Sequence, residues 1–433
     1  MIKNARDYGA VGDGIANDTK ALNNALLGGG TVVVPPGVYL TGTLYLESNT
    51  TLIIESGAVI RAIRGMENYN AVNFCPQNRD SKAEVQNGCH LITAVETENI
   101  RIEGGGIIDG NYGAWEWKMH SFQPCYYPQP ADRNGQLIFI CECRNFSMTG
   151  VHLMNSTYWT LFLHGCENVR LSDLNIESPH LVLNTDGIDI DCCCDVVINN
   201  CIIRTGDDCI AVRGNPTPLK NKRDCKNICV SNCILSSAYA NAIRVGVGEG
   251  YIHDCNFSNI IVDGAKVGIN LVAKFGSSQN NGTCITDLTF SDFRMDVKRP
   301  FMIELDDYYG NVPYKSKNTF EHIDFNNFRI RGYLSSFIFG NGAGIIRDIN
   351  FNNVKMLAGG NGREPGVDEH GLWCVDSTEA VFDITSSAEV NFINCSIGFE
   401  ADERPSGWEY DVRSIDSVDI NMINCNFVKC KVK

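Results

Sequence analysis

One short phrase recurs along the chain: a strand of alternating character, then Asn or Asp beside a small residue, then a second strand. It reads NFSMTGVHL at 145–153, NVRLSDLNI at 168–176, DVVINNCII at 195–203 and NICVSNCIL at 227–235. Further copies are GYIHDCNFSNI at 250–260, DLTFSDFRM at 287–295, HIDFNNFRI at 322–330, DINFNNVKM at 348–356, VNFINCSI at 390–397 and VDINMINCNF at 418–427. The first copies begin 23, 27 and 32 residues apart. Alternation gives each strand one buried face, and Asn, Asp and Gly mark the corners between strands. Short strands repeating at this interval, with no long helix, predict an all-β solenoid: a parallel β-helix with rungs ~4.8 Å apart. A propeller repeats near ~40 residues with hairpin turns between strands, and those signals are sparse.

The repeat turns the 433 residues into one expected domain, 1–433. Residues 1–30 form its N-terminal cap, where DTKALNNALL at 18–27 has helical spacing of Ala and Leu with Asp18 as N-cap. Such a helix covers the open apolar end of a solenoid. The rhythm breaks at 65–95, 111–136 and 357–376, which are expected as loop excursions near a binding cleft. The 20 cysteines fall partly into the repeat. Cys201, Cys233, Cys255, Cys395 and Cys425 each follow Asn or Asp and are read as one stack of small apolar side chains inside the coil. No CxxC pair points to a metal, and no metal or cofactor is expected. A formal charge of −15 excludes nucleic acid, which needs clustered Lys and Arg. No run of 18 apolar residues and no signal-peptide pattern occur, so no membrane partner is expected and the expected location is cytoplasmic. The oligomeric state is left open.

The chemistry concentrates in two segments, NTDGIDI at 184–190 and TGDDCI at 205–210. Asp186 and Asp207 lie about one coil apart, so they are expected one above the other with Asp208 beside them. Carboxylates gathered on one face repel, which lets one stay protonated as an acid while another remains a base. That division of labour is what glycosidic hydrolysis needs. The alternative is a calcium site or turn-capping Asp residues, and Asp189 and Asp191 are read as such turn residues.

The stretches STYWTLFLHGCENVRL, NTDGIDI and TGDDCIAVRG, together with DYGAVGDG, VVVPPGVYLTGTLYL and GGGIIDG, resemble glycoside hydrolase family 28. This is the polygalacturonase and rhamnogalacturonase family of single-stranded right-handed parallel β-helices. The resemblance covers most of the first 215 residues. It implies hydrolysis by inversion, with Asp207 as the general acid and Asp186 and Asp208 as the pair that activates water. Asn184, which opens the first motif, joins the substrate-binding candidates. The family's Gly-His-Gly rung corresponds to YANAIRVG at 239–246, with Asn241 in place of His. Its Arg-Ile-Lys rung corresponds to VGINLVAKFG at 267–276, with Asn270 and Val272 in place of Arg and Lys. In the family those basic residues help hold a galacturonate carboxylate. Arg213, Arg244 and Lys274 are candidates to supply the charge instead, against a reading as solvated surface charges that is strongest for Lys274.

Trp115 and Trp117, in an irregular loop, are expected to stack on sugars in the cleft, whereas Trp159 reads equally as core. The expected function is an inverting hydrolase of plant cell-wall, pectin-type oligosaccharides. Its exo action is inferred from the missing leader. The alternatives are a glycosidase or glycosyl-transferring enzyme for a neutral glycan, favoured by Asn241 and Asn270, and a non-catalytic glycan-binding β-helix.

Overall fold

The computed structural model describes residues 2–80, 88–119, 126–128, 134–274, 282–306, 315–360, 377–401 and 403–432. The chain divides into two compact units, one comprising residues 1–209 and 216–223, the other 210–215 and 224–433. The parallel β-helix repeat runs through both.

In the first unit each coil contributes three short strands to three stacks. One stack includes Thr50–Ile54, Glu98–Gly104, Arg144–Thr149, Glu167–Ser172 and Cys194–Asn199. The second includes Ala58–Ala62, Ile107–Asp109, His152–Met154, Asn175–Glu177 and Ile202–Thr205. The third includes Ile92–Val95, Ile138–Cys141, Leu161–His164 and Ile188–Asp191. All pair in parallel and in register: Phe146 faces Ile100 and Val169, and Ile138 faces Ile92 and Leu161. The inward residues, such as Ile102, Met148, Leu171 and Ile198, are buried. Burial of this apolar surface, at ~25 cal/mol per Å², drives the stacking.

The corners use the predicted residues. Asn99, Asn145 and Asn168 have left-handed backbones with φ near +60°, a conformation Asn tolerates better than most residues. Their side chains form a ladder: Asn145 Nδ2 donates to Asn99 Oδ1 (2.8 Å) and Asn168 Nδ2 to Asn145 Oδ1 (2.6 Å).

The predicted helix forms as Thr19–Leu26 and buries Leu22, Ala25 and Leu26. Asp18 stands at its N-cap but makes no side-chain cap bond to it. Its carboxylate instead accepts from the Val11 and Gly12 N–H groups at 2.7 and 3.0 Å. It therefore ties the preceding loop to the helix start.

The first excursion is shorter than expected, because Ile92–Val95 is already a coil strand. The rest carries a 3₁₀ turn, Met66–Asn68, and a short helix, Pro76–Asp80. Cys75, just before this helix, packs with Phe139, Cys141, Tyr158, Trp159, Phe162, Cys192 and Leu219 in one buried cluster. The excursion thus covers the outward side of the third stack, and Trp159 is core. The second excursion holds a 3₁₀ turn, Tyr112–Ala114, and an antiparallel pair, Trp117–Met119 with Tyr126–Pro128.

In five rungs of the second unit the first two stacks merge, and they separate again at Ala388–Ile393 and Ser396–Phe399. Cys225–Ser237, Tyr251–Asp263, Cys284–Val297, Thr319–Gly332 and Ile345–Ala358 are single strands of 13 or 14 residues. Each bends at left-handed residues such as Asn259, Asp292, Asn327 and Asn353. Phe257, Phe290, Phe325, Phe351 and Phe392 stack inside with centroids 4.7 to 5.1 Å apart. The third expected excursion begins later than 357, since Leu357 and Ala358 end a strand; its residues 361–376 lie outside the described ones.

The cysteine stack departs from expectation. Cys255 faces Ile228, not Cys233, whose partner is Ile260. The shared slot then passes through Phe293 and Phe328, so it is generally apolar and only partly filled by Cys. The stricter ladder is Cys143, Cys166 and Cys193, aligned by the pairing of Arg144, Glu167 and Cys194. Their Sγ atoms donate to the Ala94, Ile140 and Leu163 carbonyls at 3.2 to 3.4 Å. Burial holds the Cys166 thiol well above its ordinary pKa, which keeps it a donor. The eighteen described cysteines are free. Among the described residues no helix is long and apolar enough to cross a membrane.

Candidate active site

Asp186, Asp207 and Asp208 come together in the first unit, with one carboxylate oxygen from each within 4.8 Å of the others. Register explains the meeting. The Leu161 N–H donates to Gly187 O, and Leu161 pairs with Ile188. The same offset recurs one coil on, where the Gly187 N–H donates to Asp208 O (2.9 Å) and the Ile188 N–H to Cys209 O (3.0 Å). Gly187 is thereby set against Cys209, and Asp186 against Asp208. The residue stacked on Asp186 is thus Asp208, with Asp207 beside it: the expected pairing is shifted by one.

Asp207 is held by main-chain donors. Its Oδ2 accepts the Asn184 N–H (3.1 Å) and its Oδ1 the Asp208 N–H (2.9 Å), while the Thr205 hydroxyl donates to its carbonyl (2.6 Å). Asn184 therefore touches the trio through its backbone, and its own φ is left-handed at 58°. Asp186 and Asp208 are buried and Asp207 half-buried. Gly187 leaves room for this approach, since a Cβ there would lie 2.5 Å from Cys209 O.

Asp189 and Asp191 are not turn residues. They lie within the strand Ile188–Asp191, fully buried, facing Phe162 and His164. The alternating pattern around them hid this, because it reads the same whichever layer covers the outward face.

The second unit brings together Asn241, Arg244 and Asn270. Arg244 faces Asn270 across adjacent parallel strands, on the side opposite Ile243 and Ile269. Asn270 Nδ2 donates to Asn241 Oδ1 (3.2 Å). Among the described residues Asn270 Oδ1 accepts no hydrogen bond. Arg213, in the strand Ile210–Gly214, is 2% exposed and Lys274 is 1% exposed. Neither is a solvated surface charge, which corrects the reading of Lys274 above all. Burying a cation costs several kcal/mol unless it is compensated, so these positions are built rather than incidental.

The two loop tryptophans separate. Trp115 is 5% exposed and packs near Tyr69, ring centroids 6.3 Å apart, so it offers no open face to a sugar. Trp117 lines a pocket of about 610 Å³ with Tyr112, Glu177, Pro179 and His180. The expectation missed Tyr112, Glu177 and His180, which carry no motif and meet Trp117 only through the fold.

The family model for glycosyl hydrolases family 28 matches residues 31–363. The chain belongs to this family. It is 28% identical over 291 residues to a probable polygalacturonase of Vitis vinifera, covering 62% of this chain and 56% of that protein. It is 27% identical over 326 residues to an endo-polygalacturonase of Pectobacterium carotovorum subsp. carotovorum, covering 70% and 75%. The chain thus spans little more than half of the grapevine relative. The family 28 exopolygalacturonase of Yersinia enterocolitica superposes with a TM-score of 0.70 at 19% identity, over 97% of this chain and 78% of that one. The shared fold is the right-handed parallel β-helix.

Proposed function

We propose that this family 28 protein is an inverting glycoside hydrolase acting on pectin-type oligosaccharides from their ends. The observation that carries the reading is the convergence of Asp186, Asp207 and Asp208 on the two motifs that mark the family. Asp207 protonates the leaving glycosidic oxygen. Asp186 and Asp208 take a proton from a water that attacks the anomeric carbon from the opposite face.

Asp207→Asn removes the acid and lowers kcat by about 10²–10⁴-fold while the fold persists; unchanged turnover overturns the assignment. An acid–base trio also works in the presence of a chelator. Loss of activity with EDTA, restored by a divalent cation, would instead assign the trio to a metal. Exo action predicts terminal residues as the first product from a panel of galacturonan, rhamnogalacturonan and neutral oligosaccharides. Cleavage of none of them by folded protein sinks the hydrolase reading. The free thiols fit a reducing compartment, and we propose a cytoplasmic site of action.

One observation favours a second reading. The Asn241–Asn270 pair carries no charge and suits a sugar hydroxyl better than a carboxylate. Preferential cleavage of neutral oligosaccharides supports that reading.

A further inference from the structure

Four strands of the second unit, Tyr251–Asp263, Cys284–Val297, Thr319–Gly332 and Ile345–Ala358, run in register. Just past their shared corner the register sets Ile261 beside Arg294, Arg294 beside Arg329 and Arg329 beside Lys355. These four residues are exposed, and Ile260, Phe293 and Phe328 between them and the corner are buried. Three cations therefore stand in a file, one per rung, ~4.8 Å apart. The corner residues Asn259, Asp292, Asn327 and Asn353 flank the file, and the two rows enclose a groove of about 450 Å³. Every lining residue lies inside one of the four strands.

Like charges set directly opposite one another on a sheet are destabilising, so the file needs a reason. Neighbouring arginines of the same strands are paired: Arg331 with Asp296 (3.6 Å) and Glu400, and Arg347 with Glu321 (2.7 Å). Among the described residues Arg294, Arg329 and Lys355 have no carboxylate within ion-pair distance. The lining holds one acid, Asp292, which accepts from Asn327 Nδ2 (3.1 Å) and leaves the groove with an excess of positive charge. Asp263 and Asp296 stand two positions further along their strands, and Asp296 is already taken by Arg331. A chain of net charge −15 thus gathers unpaired cations in one groove.

The spacing selects the anion. A DNA duplex carries one charge per ~1.7 Å of axis and calls for dense Lys and Arg, which this chain does not offer. A polyuronate carries one carboxylate per sugar, and a pyranose is about as long as a rung is high. Guanidiniums hold carboxylates through paired hydrogen bonds. The corner amides keep donors and acceptors beyond those their ladder uses, for sugar hydroxyls. Ile261 continues the file as an apolar surface for the C–H face of a ring. We propose that the groove along Arg294, Arg329 and Lys355 is a second, non-catalytic binding site for a uronate chain. It belongs to the second unit, whereas the acidic trio belongs to the first. The proposal goes beyond the proposed function and rests on it only for the identity of the polymer.

The test uses the full chain carrying Asp207→Asn, so that the probe is not cut, and titrates it with hexagalacturonate by calorimetry at low salt. The expected stoichiometry is two probes per chain, one at the trio and one at the groove. Adding Arg294→Gln, Arg329→Gln and Lys355→Gln together is expected to weaken groove binding by about tenfold, leaving one. Counts of one and none would refute a uronate at the trio and support the groove, so the two readings fail separately. Arg294→Lys with Arg329→Lys keeps the charge and is expected to keep the groove site. Fully methyl-esterified hexagalacturonate is expected to miss it, and raised salt to weaken it. The same stoichiometry and affinity with and without the three Gln substitutions overturns the proposal. Should the triple variant fail to fold, the ester and the salt titration decide, and an ester that binds both sites as the acid does overturns it. Inorganic polyphosphate binding the groove as tightly as the uronate overturns the choice of a uronate.

Discussion

The two units stack rungs in the same way but turn their corners differently. In the first unit the strands of the corner-bearing stacks are three to seven residues long, as in Ile107–Asp109 and Glu98–Gly104. The coil interior there is aliphatic, with Ile102, Met148 and Leu171 in successive rungs. In five rungs of the second unit the chain passes the same corner without leaving the sheet, in strands of 13 or 14 residues. Its interior is a file of phenylalanines. The two described excursions and the acidic trio all belong to the first unit, where they follow strands of the second stack. In the second unit the stacked rings bury large areas and gain a further ~0.5–1.5 kcal/mol per pair, which makes the ring file the tighter interior.

The largest effect separating the units is therefore expected from the phenylalanine file. Phe325 is fully buried, stacked on Phe290 and Phe351 at 5.1 and 4.8 Å and edge-on to Phe301 at 4.9 Å. Phe325→Ala should cost about 3–5 kcal/mol, and Leu171→Ala in the aliphatic interior about 2–5 kcal/mol. Urea midpoints measure both. A smaller loss at Phe325 than at Leu171 breaks the claim that the ring file is the tighter interior.

The next difference is in pH response. His90, in the first unit, is wholly buried between Gln136 O (2.9 Å) and Asn78 Oδ1 (3.1 Å). Burial pushes its pKa down to about 4. The unfolded chain then binds the proton more readily than the folded one. Stability is full above the ordinary histidine value of ~6.5 and is lost as pH falls from there towards 4, by up to about 3 kcal/mol. His322, in the second unit, behaves oppositely. Its hydrogen bond to Asp348 (2.6 Å) raises its pKa, so the stabilisation is present at low pH and fades as pH rises through that raised value. The pair is exposed and its contribution small. Denaturation of the unaltered protein and of His90→Asn at pH 7 and pH 5 checks the larger effect: the histidine protein should lose more stability on acidification than the variant. An equal loss in both sharpens attention onto the carboxylates instead.

The repeat made the fold readable because its two requirements are local. Corner residues need a left-handed backbone, and inward positions need apolar side chains; both show in single copies such as NVRLSDLNI. The acidic motifs were readable for the same reason, being one coil apart. What stayed hidden depends on what covers the outward face. Asp189, Asp191, Arg213 and Lys274 are buried although polar residues at alternating positions read as solvent-facing. Trp115 and Trp117 are two residues apart, yet one is buried against Tyr69 and the other opens onto a pocket. The Cys143, Cys166 and Cys193 ladder was within reach, since its spacings of 23 and 27 equal those of Asn145, Asn168 and Asp195.

The smallest effect comes from the corners, which both units share. Asn145 in the first unit and Asn327 in the second have φ of 59° and 61°. Each bonds to the rungs on either side: Asn145 to Asn99 and Asn168, Asn327 to Asp292 (3.1 Å) and Asn353 (2.9 Å). Replacement by Ala removes the ladder bonds and forces an unfavourable left-handed backbone, at about 1–2 kcal/mol for the backbone alone. Replacement by Gly removes the same bonds without that strain, although it raises the entropy of the unfolded chain by up to ~1 kcal/mol. Asn→Ala should therefore cost more than Asn→Gly at both sites, by similar amounts. If Ala and Gly prove equal at Asn145 but not at Asn327, the shorter strands of the first unit relax around the corner, and the contrast between an adaptable unit and a rigid one is sharpened. If they prove equal at both, the left-handed corner is not what holds the coil's turn.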